Sequence, residues 1–291
     1  MIAAVQPTVI SIQSQVAYGH VGNSAAVFPM QMHGIDVIAV PTTLLSNRPG
    51  YPTIRGRVLE AQLVADLLLG VEERGALDTA TMILSGYLGS PEIAAVVADF
   101  VARAKASHPA LRYACDPVLG DRDRGLFVKA EIPPLVRDRL LPLADILTPN
   151  HFEFEFLCGA KASTSGQMIE SAQTLLARGP STVVVTSAEL DDTPTGEIET
   201  LAIERTEAWR VRTPKLPISP NGTGDLFASL LVSARVRGSD TREALGHAAS
   251  AIYAVLERTA ARATLEMRIV ESAEQLVHPK QRFEALAVGG S

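Results

Sequence analysis

The sequence predicts an α/β fold in which helices cover both faces of a mostly parallel sheet. Short β-branched runs alternate with longer helical patterns along most of the 291 residues, and this alternation is typical of parallel strands joined by crossover helices. No internal repeat or low-complexity linker divides the chain, and 47% of its residues are hydrophobic, enough for a sizeable core. We therefore expect a single three-layer α/β/α domain over residues 1–291.

The strands and helices are predicted in a regular order. Eight short apolar runs are typical of strands, at residues 9–12, 35–40, 81–84, 111–115, 144–147, 182–186, 197–203 and 207–212. Helical patterns cover residues 24–33, 58–74 and 91–107, and the chain after residue 225 is predicted to be helical nearly to its end. The last two strands alternate polar and apolar residues, so we expect an antiparallel hairpin at the sheet edge.

Two segments are expected to be mobile flaps over a site. Residues 41–57 are rich in Pro, Gly, Ser and Asn and are predicted to be irregular, while residues 121–127 combine glycine with charges. Neither segment has an obvious anchor in the core, and flaps that exclude water are common in group-transfer enzymes.

Composition argues against several classes of protein. A net charge of −6 is unusual for a nucleic-acid-binding protein, which normally shows a basic face. Residues 1–7 carry no basic region before an apolar run, so no signal peptide is expected, and no uncharged apolar stretch is long enough for a membrane span. Cys115 and Cys158 are the only cysteines, which favours a reducing cytoplasm.

The run Gly222-Thr223-Gly224-Asp225 is the most informative motif, because a glycine-bearing turn leads there into an apolar helix. Free N–H groups of a first helical turn attract anions. An aspartate at the same place repels phosphate, so it needs another role, such as accepting the proton of an attacking hydroxyl. The alternative is an ordinary N-cap, since Asp and Thr are both good caps.

Polar residues follow several strands, where open parallel sheets bind their ligands. Ser14 follows the first strand and could hydrogen-bond a small ligand, although this loop taken alone favours an ordinary capped βα connection. Asp116 and Asp121 lie in a Pro/Gly-bounded loop that suits Mg²⁺ or serves only as a turn. Asn150 and Glu153 form a possible capping box, and Glu153 could instead hold a metal-bound water. No P-loop follows any strand and no G-x-G-x-x-G follows the first, which disfavours Walker-type NTPases and Rossmann dehydrogenases.

Taken together, these motifs resemble the pyridoxal kinase family of the ribokinase-like superfamily over nearly the whole chain. The resemblance rests on their joint order and spacing, in Ile12-Gln13-Ser14, Gly19-His20-Val21-Gly22-Asn23-Ser24-Ala25-Ala26, Ser46-Asn47, Ser85-Gly86-Tyr87, Asp116-Pro117-Val118-Leu119-Gly120-Asp121, Thr148-Pro149-Asn150 with Glu153, Thr186-Ser187, and Gly222-Thr223-Gly224-Asp225. It implies a ribokinase-like fold and an ATP-dependent kinase that phosphorylates the 5′-hydroxymethyl group of pyridoxal and its relatives.

The resemblance also implies roles for individual residues. Asp225 would accept the hydroxyl proton, and the amides of Gly222, Thr223 and Gly224 would form the anion hole. The vitamin pocket would be lined by Ser14, Val21, Thr43, Pro49, Tyr87 and Asp225. Contacts to ATP would come from Asp116, Asn150, Glu153, Thr186, Ser187, Thr213, Pro214, Lys215, Leu216, Gly222 and Gly224. A monovalent cation, K⁺ or Na⁺, would be held near Asp116 and Thr148, and Mg²⁺ or a metal-bound water near Asp121 and Glu153. A homodimer is the expected assembly.

Two departures from the family pattern concern the vitamin pocket and the neutralisation of phosphate charge. Pro49 stands where relatives often carry a substrate-contacting Thr, which leaves the preference among pyridoxal, pyridoxine and pyridoxamine open. Thr186 stands where some bacterial members have Lys. A hydroxymethylpyrimidine kinase of the same superfamily and a non-catalytic protein that binds pyridoxal phosphate are the alternative functions.

Overall fold

A computed structural model describes residues 6–289, so most of the segment 1–7, where no signal peptide is expected, lies outside the described residues. The strands are β1 (Thr8–Tyr18), β2 (Asp36–Asn47), β3 (Gly56–Val58), β4 (Ala80–Ser85), β5 (Arg112–Cys115), β6 (Gly120–Asp121), β7 (Gly125–Leu126), β8 (Ile146–Leu147), β9 (Thr182–Ala188), β10 (Glu197–Ile203), β11 (Ala208–Pro214) and β12 (Leu286–Ala287). The helices are α1 (Asn23–Met32), α2 (Ala61–Glu73), α3 (Pro91–Ser107), α4 (Ile132–Leu135), α5 (His151–Cys158), α6 (Ser165–Leu176), α7 (Thr223–Val236), α8 (Thr241–Ala261) and α9 (Ala273–Val277).

The predicted α/β architecture with a mostly parallel sheet is confirmed. Ten strands form one sheet in the order β12-β11-β10-β9-β8-β5-β4-β1-β2-β3. The six strands from β9 to β2 in that order pair in parallel. The predicted hairpin is β10–β11, which pairs antiparallel from Glu197 with Pro214 to Ile203 with Ala208. Strands β6 and β7 form a separate two-stranded hairpin.

Two buried clusters lie on opposite faces of the sheet and make it the middle of three layers. Alternate residues of one strand point to opposite faces, so Ile10 of β1 packs into one cluster and Val9 into the other. The first cluster includes core residues of α2, α3, α5 and α6, and the second includes those of α1, α7 and α8. This arrangement leaves the carboxyl ends of the parallel strands open for a site.

The prediction of an irregular segment at residues 41–57 is wrong at both of its ends. Strand β2 continues to Asn47 because β1 runs on to Tyr18 and offers it parallel partners as far as the Tyr18–Asn47 pair. Strand β3 then returns antiparallel, with Thr43 opposite Val58 and Leu45 opposite Gly56. Only residues 48–55 lie between the two strands.

The prediction that the chain is helical nearly to its end is also wrong. Helix α7 stops at Val236, and Gly238 adopts a φ of +97°. A capping box of Asp240 and Glu243 then starts α8, which ends at Ala261. Residues after it form short turns, α9 and the strand β12, whose partners lie on β11.

Among residues 6–289, no helix combines the length and the apolar character needed to cross a lipid bilayer. Cys115 and Cys158 are both free thiols, the first buried and the second half-buried.

Candidate active site

The glycine turn before α7 is not capped by its acidic residue. Gly222 occupies the N-cap position with a φ of +86°, and no side chain bonds to the free amides of the first turn. The Asp225 carboxylate instead contacts the loop before α1, where its Oδ2 accepts a hydrogen bond of 2.8 Å from the Gly22 N–H. The carboxylate is therefore held by another loop, and the interpretation of Asp225 as a plain N-cap is excluded.

Gly22 brings Ser14 and Asp225 together. It has a φ of +54°, and a Cβ atom placed on it would lie 2.3 Å from the Ser14 hydroxyl oxygen. No side chain fits at position 22, so the Ser14 hydroxyl on β1 and the Asp225 carboxylate on α7 contact the same glycine from two directions. The structure thus places two of the residues predicted to face the vitamin against the same glycine.

The loop of residues 19–22, which we call the glycine loop, also packs against the turn itself. A Cβ atom on Gly222 would lie 2.0 Å from the His20 carbonyl oxygen. Glycine is required at this contact both for its positive φ and for its missing side chain. The glycine loop and the α7 turn therefore meet backbone to backbone.

Three carboxylates share this region, and the surroundings raise the pKa of each. Burial raises the pKa of Asp225, while the hydrogen bond from Gly22 acts in the opposite direction. Burial, together with the negative charges of Glu153 and Asp225, raises the pKa of Asp116 well above its usual range. Burial raises the pKa of Glu153 to about 7, although amides of Leu119, Asn150 and Gly120 favour its charged form.

Within residues 6–289, none of these three carboxylates forms an ion pair with a cationic side chain. The buried Thr148 hydroxyl lies beside Asp116 and acts to lower the pKa of that carboxyl, although its Oγ1 forms no hydrogen bond of standard geometry within residues 6–289. The Thr148 main-chain N–H bonds to the carbonyl of Cys115, the residue before Asp116. Oxygen ligands with uncompensated negative charge suit a hard cation. The predicted cation-binding residues Asp116 and Thr148 fit that requirement.

The other two predicted metal residues are engaged with the backbone. Glu153 forms the predicted capping box with Asn150, and its Oε1 also accepts the Leu119 N–H at 2.8 Å. Asp121 accepts the N–H of Arg124 at 2.7 Å in the β6–β7 hairpin. In the described part of the chain, no three His, Cys, Asp or Glu side chains converge on a metal position. Protein sites for Mg²⁺ usually keep several waters and use substrate phosphates as ligands.

The residues predicted to contact the nucleotide lie along neighbouring strand ends. Asn150 and Thr186 form an isolated parallel β-bridge, in which the Thr186 N–H donates a hydrogen bond of 2.9 Å to the Pro149 carbonyl. Ser187 is exposed with a φ of +51°, a conformation rare for any residue with a side chain. Thr213 and Pro214 end β11, and Lys215 and Leu216 follow them. Lys215 pairs with Glu189 just past the end of β9, at 2.5 Å.

The residues predicted to line the vitamin pocket lie on separate elements, among them β2, the loop after β4 and the glycine loop. Thr43 is buried and its Oγ1 has no hydrogen-bond partner within residues 6–289. Its neighbour Thr42 donates to the Tyr87 carbonyl at 2.7 Å, which ties β2 to the loop after β4. Val21 is half-buried in the glycine loop, whereas Pro49 is exposed and its carbonyl accepts a hydrogen bond from Arg48.

Sequence reasoning missed one set of contacts beside the site. The Glu266 carboxylate accepts hydrogen bonds from the side chains of Arg48 and Tyr51 and from the His20 N–H. Glu266 is 246 positions away from His20, and it lies in a segment predicted to be helical, so no local pattern indicates this role.

Comparison with known proteins agrees with the geometry. The family model for phosphomethylpyrimidine kinase matches residues 59–268. A pyridoxal kinase of Leifsonia xyli subsp. xyli is 45% identical over 97% of this chain and 99% of its own length. One of Rubrobacter xylanophilus is 46% identical over 94% and 95%. The solved pyridoxal kinase of Leishmania donovani with ADP and pyridoxamine superposes with a TM-score of 0.90, at 31% identity, over 97% of this chain and 99% of that one. The chain belongs to the phosphomethylpyrimidine kinase family and, within it, to the pyridoxal kinases of the ribokinase-like fold.

Proposed function

We propose that the protein transfers the γ-phosphoryl group of ATP to the 5′-hydroxymethyl group of pyridoxal, and also of pyridoxine and pyridoxamine, giving the 5′-phosphates. The observation that carries the proposal is the contact between Asp225 and Gly22 beside the Ser14 hydroxyl, at the free N-terminus of α7. The names of the relatives support the same substrates, since they are called pyridoxal kinases and one was solved with ADP and pyridoxamine.

Asp225 is the proposed proton acceptor. Its Oδ2 is occupied by the Gly22 N–H, while its Oδ1 accepts no hydrogen bond from residues 6–289. The free oxygen can therefore receive the proton of the hydroxymethyl group. Its raised pKa brings it closer to the pH of the reaction, which favours proton transfer in both directions.

The amides of the α7 turn are the proposed anion hole. The first intrahelical bond of α7 runs from Leu226 N–H to Gly222 carbonyl, so the amides before Leu226 have no helical partner. Such amides, fixed before the reaction, stabilise charge that develops on a transferring phosphoryl group. They do so without the reorganisation that water would need.

The acidic character of the site makes a cation necessary for binding ATP. Asp116 and Thr148 are proposed to hold a monovalent cation, K⁺ or Na⁺, and Asp121 and Glu153 to hold Mg²⁺ directly or through a bound water. Bound Mg²⁺ would neutralise charge on the phosphates. Asn150, Thr186, Ser187 and residues 213–216 are proposed to contact the nucleotide.

A hydroxymethylpyrimidine kinase is the second candidate, because the matching family model carries the name phosphomethylpyrimidine kinase. Steady-state turnover of the three B6 vitamers and of hydroxymethylpyrimidine, each with ATP, Mg²⁺ and K⁺, decides between the two. We expect a higher kcat/KM for pyridoxal. A clear preference for the pyrimidine would overturn the first proposal, and ligand binding without consumption of ATP would indicate a non-catalytic protein. The ranking of the vitamers also tests the effect of Pro49.

Further properties are proposed with the activity. The chain would act as one domain over residues 1–291, with flaps at about 41–57 and 121–127. We propose a homodimer in the cytoplasm that uses small-molecule substrates and contacts neither nucleic acid nor membrane.

A further inference from the structure

The Glu266 carboxylate accepts hydrogen bonds from two segments that border the site. Its Oε1 accepts hydrogen bonds from Arg48 Nε at 3.0 Å and from the Tyr51 hydroxyl at 2.7 Å. Its Oε2 accepts the His20 N–H at 3.1 Å. Residues 48–51, which we call the flap tip, and the glycine loop are thus joined through one side chain.

The flap tip depends on this carboxylate. Arg48 and Glu266 are both largely buried, with 9% and 14% of their side chains exposed, and charge-assisted bonds of this kind are stronger than neutral ones. The Arg48 guanidinium also lies 4.8 Å from the centre of the Tyr51 ring, a cation–π distance. Residues 52–57 beyond the tip are exposed, so Glu266 supplies a main anchor of the segment.

The glycine loop depends on it as well. A Cβ atom on Gly19 would lie 2.4 Å from Glu266 Oε2, so the carboxylate lies directly against the loop backbone. Two residues after the bonded His20 N–H, the Gly22 N–H holds Asp225. A shift of the loop away from Glu266 therefore moves the donor that orients the proposed proton acceptor.

Glu266 is carried by a segment that is itself fixed to the α7 turn. Met267, the next residue, is buried, and its Cε would lie 3.1 Å from a Cβ atom on Gly222. The Arg268 N–H bonds to the Thr259 hydroxyl of α8 at 3.0 Å. Residues 266–268 thus provide a fixed support, against which the glycine loop and the flap tip are both held.

We propose that Glu266 is a positioning residue that holds the flap tip and the glycine loop as one unit, and so orients Asp225 for proton transfer. The proposal rests on the proposed kinase activity. It assigns to a residue in the C-terminal part of the chain an effect on kcat as well as on vitamin binding.

The test compares Glu266→Gln with two matched variants. In Glu266→Gln only the amide oxygen can accept hydrogen bonds, either from Arg48 and Tyr51 or from the His20 N–H. The NH₂ group then faces the remaining donor and cannot accept its hydrogen bond. Tyr51→Phe removes one flap bond and leaves the loop bond intact. Glu271→Gln is the control, because Glu271 lies in the same region but pairs only with Arg262 and Arg268 among residues 6–289.

Kinetics with pyridoxal and MgATP give the first readout. We expect Glu266→Gln to lower kcat by about 10- to 100-fold, as a displacement on the order of 1 Å does, and to raise KM for pyridoxal but not for ATP. Tyr51→Phe should raise KM for pyridoxal with kcat nearly unchanged, and Glu271→Gln should alter neither. A kcat for Glu266→Gln within about twofold of the unmodified enzyme would overturn the proposal.

Hydrogen exchange of the free protein gives a readout that does not depend on activity. Glu266→Gln should speed exchange in residues 19–22 and 48–51 together, Tyr51→Phe in 48–51 only, and Glu271→Gln in neither. Unchanged exchange of residues 19–22 in Glu266→Gln contradicts the proposal, whether or not pyridoxal proves to be the substrate. If Glu266→Gln loses protection throughout the sheet, Glu266→Asp replaces it, with the same expected pattern at smaller amplitude.

Discussion

The two glycines of the α7 turn are expected to respond differently to substitution by alanine. At Gly222 a Cβ atom would lie 2.0 Å from the His20 carbonyl oxygen, on a backbone with φ of +86°. Carbon and oxygen atoms need more than 3 Å, so the glycine loop must move by about 1 Å or more. At Gly224 the nearest atom outside the helix is Asp116 Oδ2 at 3.8 Å, which is an ordinary contact.

The expected magnitudes follow from these distances. A left-handed conformation costs alanine roughly 1–2 kcal/mol, and relief of the clash brings the expected loss of stability for Gly222→Ala to about 2–4 kcal/mol. Displacement of the Gly22 N–H from Asp225 should lower kcat by about 100-fold. Gly224→Ala should not lower stability, because alanine is favoured over glycine within a helix by up to about 1 kcal/mol.

Denaturant unfolding and steady-state kinetics of both variants with pyridoxal and MgATP check this prediction. Gly224→Ala should retain at least about tenfold more activity than Gly222→Ala. Equal stability and equal kcat for the two variants would refute the steric argument, because the contact with His20 would then not constrain the turn.

Three other predictions follow from the same region. Thr148→Val removes a buried hydroxyl that has no hydrogen bond of standard geometry within residues 6–289 and interacts only weakly with Asp116, so the free energy of unfolding should change by less than about 1 kcal/mol; activation by K⁺ should fall, which denaturation and kcat against K⁺ concentration measure. The folded protein raises the pKa of Glu153 from 4.5 to about 7, so protonation of Glu153 stabilises the fold fully below pH 4.5, and this stabilisation is lost as the pH rises through 7. The free energy of unfolding of the free protein should therefore fall by up to about 3 kcal/mol across this window. Glu153→Gln should flatten this pH dependence. Hydrogen exchange of residues 41–57 and 121–127 should slow when MgATP and pyridoxal bind, and equal exchange with and without them would contradict a flap role.

Elements with local signals could be predicted closely from the sequence. Helix α3 spans Pro91–Ser107 as expected, because Ser90 caps it and Pro91 suits a first helical position. The hairpin β10–β11 has clear polar alternation and was predicted within two residues at each end. The capping box of Asn150 and Glu153 is likewise a local pattern, and it is present.

Elements that depend on distant partners could not be predicted this way. Residues 42–47 read Thr-Thr-Leu-Leu-Ser-Asn, without the alternation of a half-buried strand, and become a strand because β1 extends beside them. Strand β12 exists through its pairing with Trp209 and Arg210, more than seventy positions earlier in the chain. A pattern within one segment does not contain that information.

The same distinction applies to the site. The turn Gly222–Asp225 could be identified locally, but the contact that orients Asp225 joins positions 203 apart. The partners of Glu266 are equally remote. The sequence therefore indicated candidate residues for the chemistry, whereas their long-range contacts could be found only in the structure.

The most direct test of the central claim is the rate of phosphoryl transfer from MgATP to pyridoxal by Asp225→Asn, measured in a single turnover. Asparagine can still accept the Gly22 N–H through its amide oxygen, so the loop stays in place while the proton acceptor is lost. We expect the rate to fall by about 10²- to 10⁴-fold, the usual contribution of a general base, with ATP binding and the folded structure retained. A rate close to that of the unmodified protein would contradict the assignment of Asp225 as the proton acceptor.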